Sequence, residues 1–294
     1  MSAQPTVLFD APGPRGRRNI LLLNIVGVLL VVGLIVKVLV DLAQKGQLAG
    51  HLWINAINGA AWQDYLLPGL QFTLQAAAIS VATSLVFGLA FGFLRLAPFA
   101  VIRWGASIIV EFLRAVPVLV MMVFLYTALA QVSRTTGAIA AEDSPYYAVI
   151  IGLTLYNGSV IAELIRSGVN GLPKGQREAA SAIGMTRNQS LLLVEVPQAI
   201  TAMMPSLLSQ IVIIIKDSAL GYLIGFYELL QYSRQLGSGQ GNMLQALVVA
   251  ALVFIVLNTV LTLVARWLAG RLSSRTSGAT ALKPGPAGSS APHL

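Results

Sequence analysis

Apolar residues in this chain come in long unbroken runs, without the alternation of a half-buried strand or the narrow stripe of a soluble helix. Six runs approach the roughly 20 residues that a helix needs to cross a bilayer. They are Ile20–Val40, Pro68–Leu94, Trp104–Ala130, Tyr146–Ile165, Pro205–Ile224 and Leu244–Leu268. The first is interrupted only by Asn24 and by Lys37, which lies near its far end, where a long side chain can snorkel to the interface. A cleaved signal peptide is the rival reading of that run. It is longer than the roughly 7–15 residues of a signal core and no small-residue cleavage site follows it, so it reads as a membrane helix. Gln44–Tyr65 carries Trp53, Trp62 and Tyr65 among polar residues, which fits a segment lying along the membrane surface or a plain extracytoplasmic loop.

The polar stretch Arg166–Met204 breaks the pattern. Pro173 can open a helix, Glu178-Ala179-Ala180 favours one, and Gly184 can end it in a left-handed conformation. Thr186 and Gln189 then stand at capping-box spacing ahead of Leu191–Val194, so a second short helix is expected to begin there, with Pro197 breaking or turning the chain. Two short helices joined at a glycine make a compact knob that a soluble partner can grip. A helical loop without a partner is the plain alternative.

Composition agrees with a membrane protein: of 294 residues 56% are apolar and 10% charged, and the mean hydropathy is +0.77. A net charge of +8 raises the question of nucleic acid, but the basic residues punctuate the ends of apolar runs and do not cluster on a soluble segment. They read as topology signals. With both termini inside, thirteen Lys and Arg are cytoplasmic, Arg15, Arg95, Arg103, Arg166, Arg187 and Arg266 among them, against four outside: Lys37, Lys45, Arg134 and Arg234. The positive-inside rule therefore puts both termini and the Arg166–Met204 loop in the cytoplasm. No cysteine is present, no Gly-rich phosphate loop occurs, and the two histidines, His51 and His293, lie in a loop and a tail. Catalysis within the chain is not expected.

The loop resembles the one that defines bacterial ABC importer permeases: Glu-Ala-Ala, three residues, Gly, nine residues, then aliphatic-x-aliphatic-Pro. Glu178, Ala179, Ala180, Gly184, Val194, Val196 and Pro197 occupy those positions, with Val in place of the usual Ile and Leu. Further stretches narrow the resemblance to the polar amino-acid branch. Gly69–Leu74 opens the core, Glu111–Pro117 is similar to a Phe-Arg-Gly-Thr-Pro element with Ala-Val for Gly-Thr, and Lys216–Leu220 to a Lys-Asp-Thr/Ser-Ser-Leu element. Asp10–Pro14, Tyr156–Glu163 and Leu172–Glu178 resemble the second permease subunit of actinobacterial glutamate uptake systems.

The resemblance implies an all-α polytopic membrane protein, one N-terminal helix plus a five-helix type I ABC importer core. The expected layout is a cytoplasmic segment 1–19, a first helix 20–40, an extracytoplasmic segment 41–67, a membrane domain 68–268 with its coupling loop 166–204, and a disordered cytoplasmic tail 269–294. It also implies a non-catalytic subunit in the cell membrane that forms half of a path for a polar amino acid, glutamate in the nearest branch. Its implied partners are a dimer of ABC ATPase subunits that uses ATP and Mg, a homologous second permease in a hetero- or homodimer, an extracytoplasmic amino-acid-binding protein and the lipid bilayer. Glu178 would pair with a basic residue of the ATPase. An ion-gradient-driven secondary transporter and a non-transport membrane anchor are the rivals from other classes.

Charges inside the apolar runs are costly, at roughly 2.5–3.5 kcal/mol each on insertion scales, and face a cavity or a partner. Glu111 and Arg114 are three apart and can pair along one helix face, near the inner interface, or Arg114 can line the path. Glu163 has Arg166 at i+3. Lys216 and Asp217 are adjacent, so they point to different faces and can meet substrate or a second permease. Arg114, Glu163, Lys216 and Asp217 are thus the candidates for the substrate path. Asn157-Gly158-Ser159 reads as a close helix contact or a polar stretch of that path.

Overall fold

The computed structural model describes residues 13–277, all of whose regular elements are helical. Helix α1 (Pro14–Gln44) carries the first apolar run and has no buried residue, so it stands outside the packed core with its side chains directed outward. Next come α2 (Gly50–Ile57), α3 (Gly59–Ala61), a π-helical turn Trp62–Leu66 and α4 (Leu67–Leu94). Helices α5 (Ala100–Ala115), α6 (Val118–Thr136) and α7 (Ser144–Asn170) follow. The loop element consists of α8 (Lys174–Ala182), α9 (Arg187–Ser190) and a second π-helical turn, Leu191–Glu195, which leads into α10 (Val196–Asp217). A 3-10 helix Ser218–Ile224, α11 (Leu229–Gln240) and α12 (Met243–Ser277) complete the described chain. Six of these helical stretches are long and apolar enough to cross a membrane.

The centre of the bundle is α7, with α4 laid along it in parallel. The buried face of α4 is a stripe of small residues: Gly69, Thr73, Ala76, Ala77, Ser80, Ser84, Gly88 and Gly92. Without water to drive apolar faces together, membrane helices associate where such residues let backbones approach closely. At Gly88 a Cβ would sit 2.4 Å from Ile161 Cγ2, and at Gly158 one would sit 2.7 Å from Phe87 Cδ1, so only glycine fits this crossing. Around it, Ala76, Met122, Ala148, Val149, Leu153, Ile214 and Phe226 form the largest apolar core.

The run Trp104–Ala130 is not one span. It divides at Val116, extended at ψ 125°, and Pro117, the N-cap of α6. Steric pressure from the proline ring drives the preceding residue out of the helical region, which ends α5 there. Both ends of α5 are tied to one end of the bundle: Arg103 donates to the carbonyls of Ala97 and Pro98, and Glu111 accepts from Arg95 at the end of α4. Crossing is left to α6, and α5 stays at this end as an amphipathic helix.

Pro197 does not break the chain, and Pro205 lies inside a helix and does not open one. Each π turn ends two residues before a proline: Leu66 before Pro68 and Glu195 before Pro197. A proline ring collides with the carbonyl four residues back, here Asp64 or Leu193, each inside its π turn. Widening that turn moves the carbonyl aside and lets the helix run on. The fifth span therefore extends over Arg187–Ile224. The expected disordered tail is also corrected at its start, because residues 269–277 belong to α12, where Arg271 lies 3.9 Å over the Trp267 ring. Residues 1–12 and 278–294, including Asp10–Pro12 and most of that tail, lie outside the described residues.

Gln44–Tyr65 packs on protein. Ala56 and Leu66 are buried with Leu229 and Val249, and Asn242 and Gln245 donate side-chain hydrogen bonds to the carbonyls of Leu52 and Gln47. At this end Glu228, fully buried, caps α11 by accepting from the backbone N–H groups of Leu230 and Gln231. Desolvation pushes its carboxyl up to about 7 against the pull of those two bonds, so the cap is part-protonated near neutral pH.

Candidate functional site: the α8–α10 element and the charged end of the bundle

Helix α8 begins after Pro173 and ends at Gly184, whose φ of +82° is open to glycine and strained for other residues. The turn is closed by Gly184 N–H donating to the Ser181 carbonyl and Met185 N–H to that of Ala180. Thr186 and Gln189 then form a reciprocal capping box that starts α9. Val169, Leu191, Val196 and Ala199 bury the base of the element, with Phe93 and Leu96 from the α4 end packed against them.

The two arms are locked by Glu195, which sequence reasoning missed because it occupies the unspecified position of the motif. Its side chain is only 2% exposed. Arg177 of α8 donates to Oε2 through Nη2 at 3.0 Å, Arg187 of α9 pairs with Oε1, and Ser190 Oγ donates to Oε1 at 2.8 Å. Gln198 Nε2 also donates to Gln176 Oε1 at 3.0 Å, joining α8 to the first turn of α10. These bonds join α8 and α9 to the start of α10, within the long apolar stretch Arg187–Ile224. The only sequence signal for Glu195 was a lone carboxylate in an apolar run, Leu191–Val196, two residues before a proline.

Glu178 and Ala179 point outward from α8, Ala180 is buried beneath them, and Pro197 is exposed at the start of α10. Glu178 forms no ion pair among the described residues. Ile183, 75% exposed, sits at the tip of the same element. Together they leave an outward face with one carboxylate and one large apolar side chain.

The four candidate path residues divide between two places. Arg114 and Glu163 meet at the α4–α5–α7 end: Arg95 bridges Glu111 at 2.7 Å and Glu163 at 2.8 Å, Arg166 bridges Glu163 at 2.6 Å, and Arg114 lies 3.6 Å from Glu111 and 3.7 Å from Glu163. That arrangement is an ion lattice tying three helices. Lys216 and Asp217 lie at the far end of α10, away from that lattice. Lys216 is exposed and Asp217 half-buried. Midway, Gln210 Nε2 donates to Asn157 Oδ1 at 2.6 Å, a buried α7–α10 bond that the sequence did not reveal.

The sequence profile of the family described as binding-protein-dependent transport system inner membrane component matches residues 84–274, from within α4 to within α12. The chain belongs to this family. It is the membrane-spanning permease of an ABC importer, a transport subunit and not an enzyme, with ATP hydrolysed by a separate ATPase. Among relatives, the permease is 46% identical over 224 residues to the glutamate transport system permease protein GluD of Corynebacterium glutamicum, covering 76% of this chain and 81% of that one. It is 27% identical to the glutamate/aspartate import permease protein GltK of Escherichia coli, over 70% of this chain and 93% of that one. A crystal structure of an amino acid ABC transporter with histidines matches with TM-score 0.64 and 25% identity, covering 72% of the permease and 96% of that chain.

Proposed function

We propose that this permease forms half of the translocation path of an ATP-driven importer for a polar amino acid, glutamate, and is driven through the Glu178–Pro197 element. The observation that carries the coupling role is the Glu195 clamp, which makes α8, α9 and the start of α10 one mechanical piece. Identity of 46% with a glutamate permease supports the cargo.

In this reading both termini and α8 are cytoplasmic, as the thirteen-to-four distribution of basic residues favours. Two ATPase subunits, which use ATP and Mg, receive α8 in a groove where exposed Glu178 meets a basic residue. A homologous second permease completes the path, and an extracytoplasmic binding protein delivers amino acid. Arg114 and Glu163 hold the cytoplasmic end together, while Lys216 and Asp217 serve the path from the other end.

The chain contains no cysteine, so a single introduced thiol reports position without background. In the assembled importer, Ala179→Cys should cross-link to the ATPase, and Arg134→Cys, outside the opposite end of the bundle, should not. An assembly that copurifies intact yet cross-links only from position 134 would overturn the docking assignment.

A further inference from the structure

A cavity of about 630 Å3 opens beside the α8–α10 element, between the loop after α4, the start of α5 and the end of α7. Five arginines line it, Arg95, Arg103, Arg166, Arg177 and Arg187, with no acidic residue among the described residues of its wall. The carboxylates of Glu111, Glu163 and Glu195 stand behind the wall and pair with all of these guanidinium groups except Arg103, and with Arg114. Six guanidinium groups against three carboxylates leave a surplus of three positive charges about one cavity. Among the described residues Arg103 meets only the carbonyls of Ala97 and Pro98. Arg95, with its side chain 5% exposed, has a buried Nε without a hydrogen-bond acceptor among the described residues. Concentrated, part-desolvated positive charge of this kind attracts an anion strongly.

The surroundings say which anion. Trp104 lines the cavity and also belongs to an outward row on α5, with Val101, Trp104, Ile108 and Phe112 exposed by 86, 67, 64 and 65%. An apolar row that meets a basic pocket at Trp104 matches a lipid: acyl chains along α5, headgroup among the arginines. A soluble phosphate would leave that row unused.

We propose that this cavity binds the phosphodiester of an anionic phospholipid, whose chains lie along α5. Because Arg177 and Arg187 reach the cavity from α8 and α9, such a lipid braces the drive element against the membrane. Such a site does not depend on which amino acid is carried.

The test uses the full chain in its assembled importer, purified from vesicles of phosphatidylcholine and phosphatidylglycerol, with retained lipid read by mass spectrometry. Wild type should retain phosphatidylglycerol in preference to phosphatidylcholine. Arg103→Gln, which breaks no ion pair, should lower that retention about fivefold, the effect of one interfacial cation. Arg103→Lys should restore most of it, and Trp104→Ala should lower it while excess inorganic phosphate does not displace the lipid. Equal retention by wild type, Arg103→Gln and Trp104→Ala would overturn the proposal. So would displacement by inorganic phosphate with no effect of Trp104→Ala, since the site would then belong to soluble phosphate.

Discussion

Glu195→Ala should reduce ATP-driven uptake about tenfold or more while ATP hydrolysis by the assembled importer continues. The substitution removes the carboxylate shared by Arg177 and Arg187 and leaves the Ser190 hydroxyl without its acceptor. Breaking a fully buried ion pair from one side costs about 3–5 kcal/mol. Here the arginines are 51% and 37% exposed, so water takes up part of that loss and about 2 kcal/mol is the better figure. That is enough to let α8 move independently of α10. Glu195→Gln, which keeps an acceptor but not the charge, should fall between alanine and wild type. Hydrolysis and uptake measured on one preparation check this, together with amide exchange over residues 174–190, which should quicken in the alanine variant. An unchanged ratio of transport to hydrolysis would mean that the clamp transmits nothing.

Gly88→Val should leave little folded permease. A Cβ at Gly88 meets Ile161 Cγ2 at 2.4 Å, Ile161 Cβ at 2.6 Å and the Gly158 carbonyl at 3.0 Å, and a backbone carbonyl cannot swing away. Overpacking typically costs about 1–3 kcal/mol, and the three carbons of a valine side chain at such a crossing belong at or beyond the upper end. Gly88→Ala should already lower the melting temperature in detergent. Gly105→Ala is the contrast, since nothing lies within 4 Å of a Cβ there and no shift is expected. Equal melting of the Gly88 and Gly105 variants would contradict the α4–α7 packing.

Apolar run length made the six crossings legible, because the bilayer imposes one requirement that any 20-residue stretch either meets or fails. The α8–α9 element was legible for a different reason: Pro173, Gly184, Thr186 and Gln189 each have a local backbone preference that acts without tertiary context. The division of Trp104–Ala130 was hidden, although Pro117 stood in plain view, because α5 is apolar on the side facing outward and hydropathy does not distinguish lying at an interface from crossing. Pro197 misled in the opposite direction, since a π turn absorbed what proline forbids. Glu195, Arg95 and the Gln210–Asn157 bond depend on which helices become neighbours, and no spacing within one helix encodes that. For the same reason Arg114 and Glu163 could be named from sequence as costly charges but not as members of one lattice.

This chain should conduct an amino acid only as the driven half of an ATP-powered assembly. Uptake of radiolabelled glutamate into proteoliposomes tests it directly, with the permease pair reconstituted beside its ATPase and binding protein. Accumulation should require ATP, the ATPase and the binding protein together, and should stop when any one is withheld. Accumulation by this chain alone, driven by an ion gradient without ATP, would contradict the account.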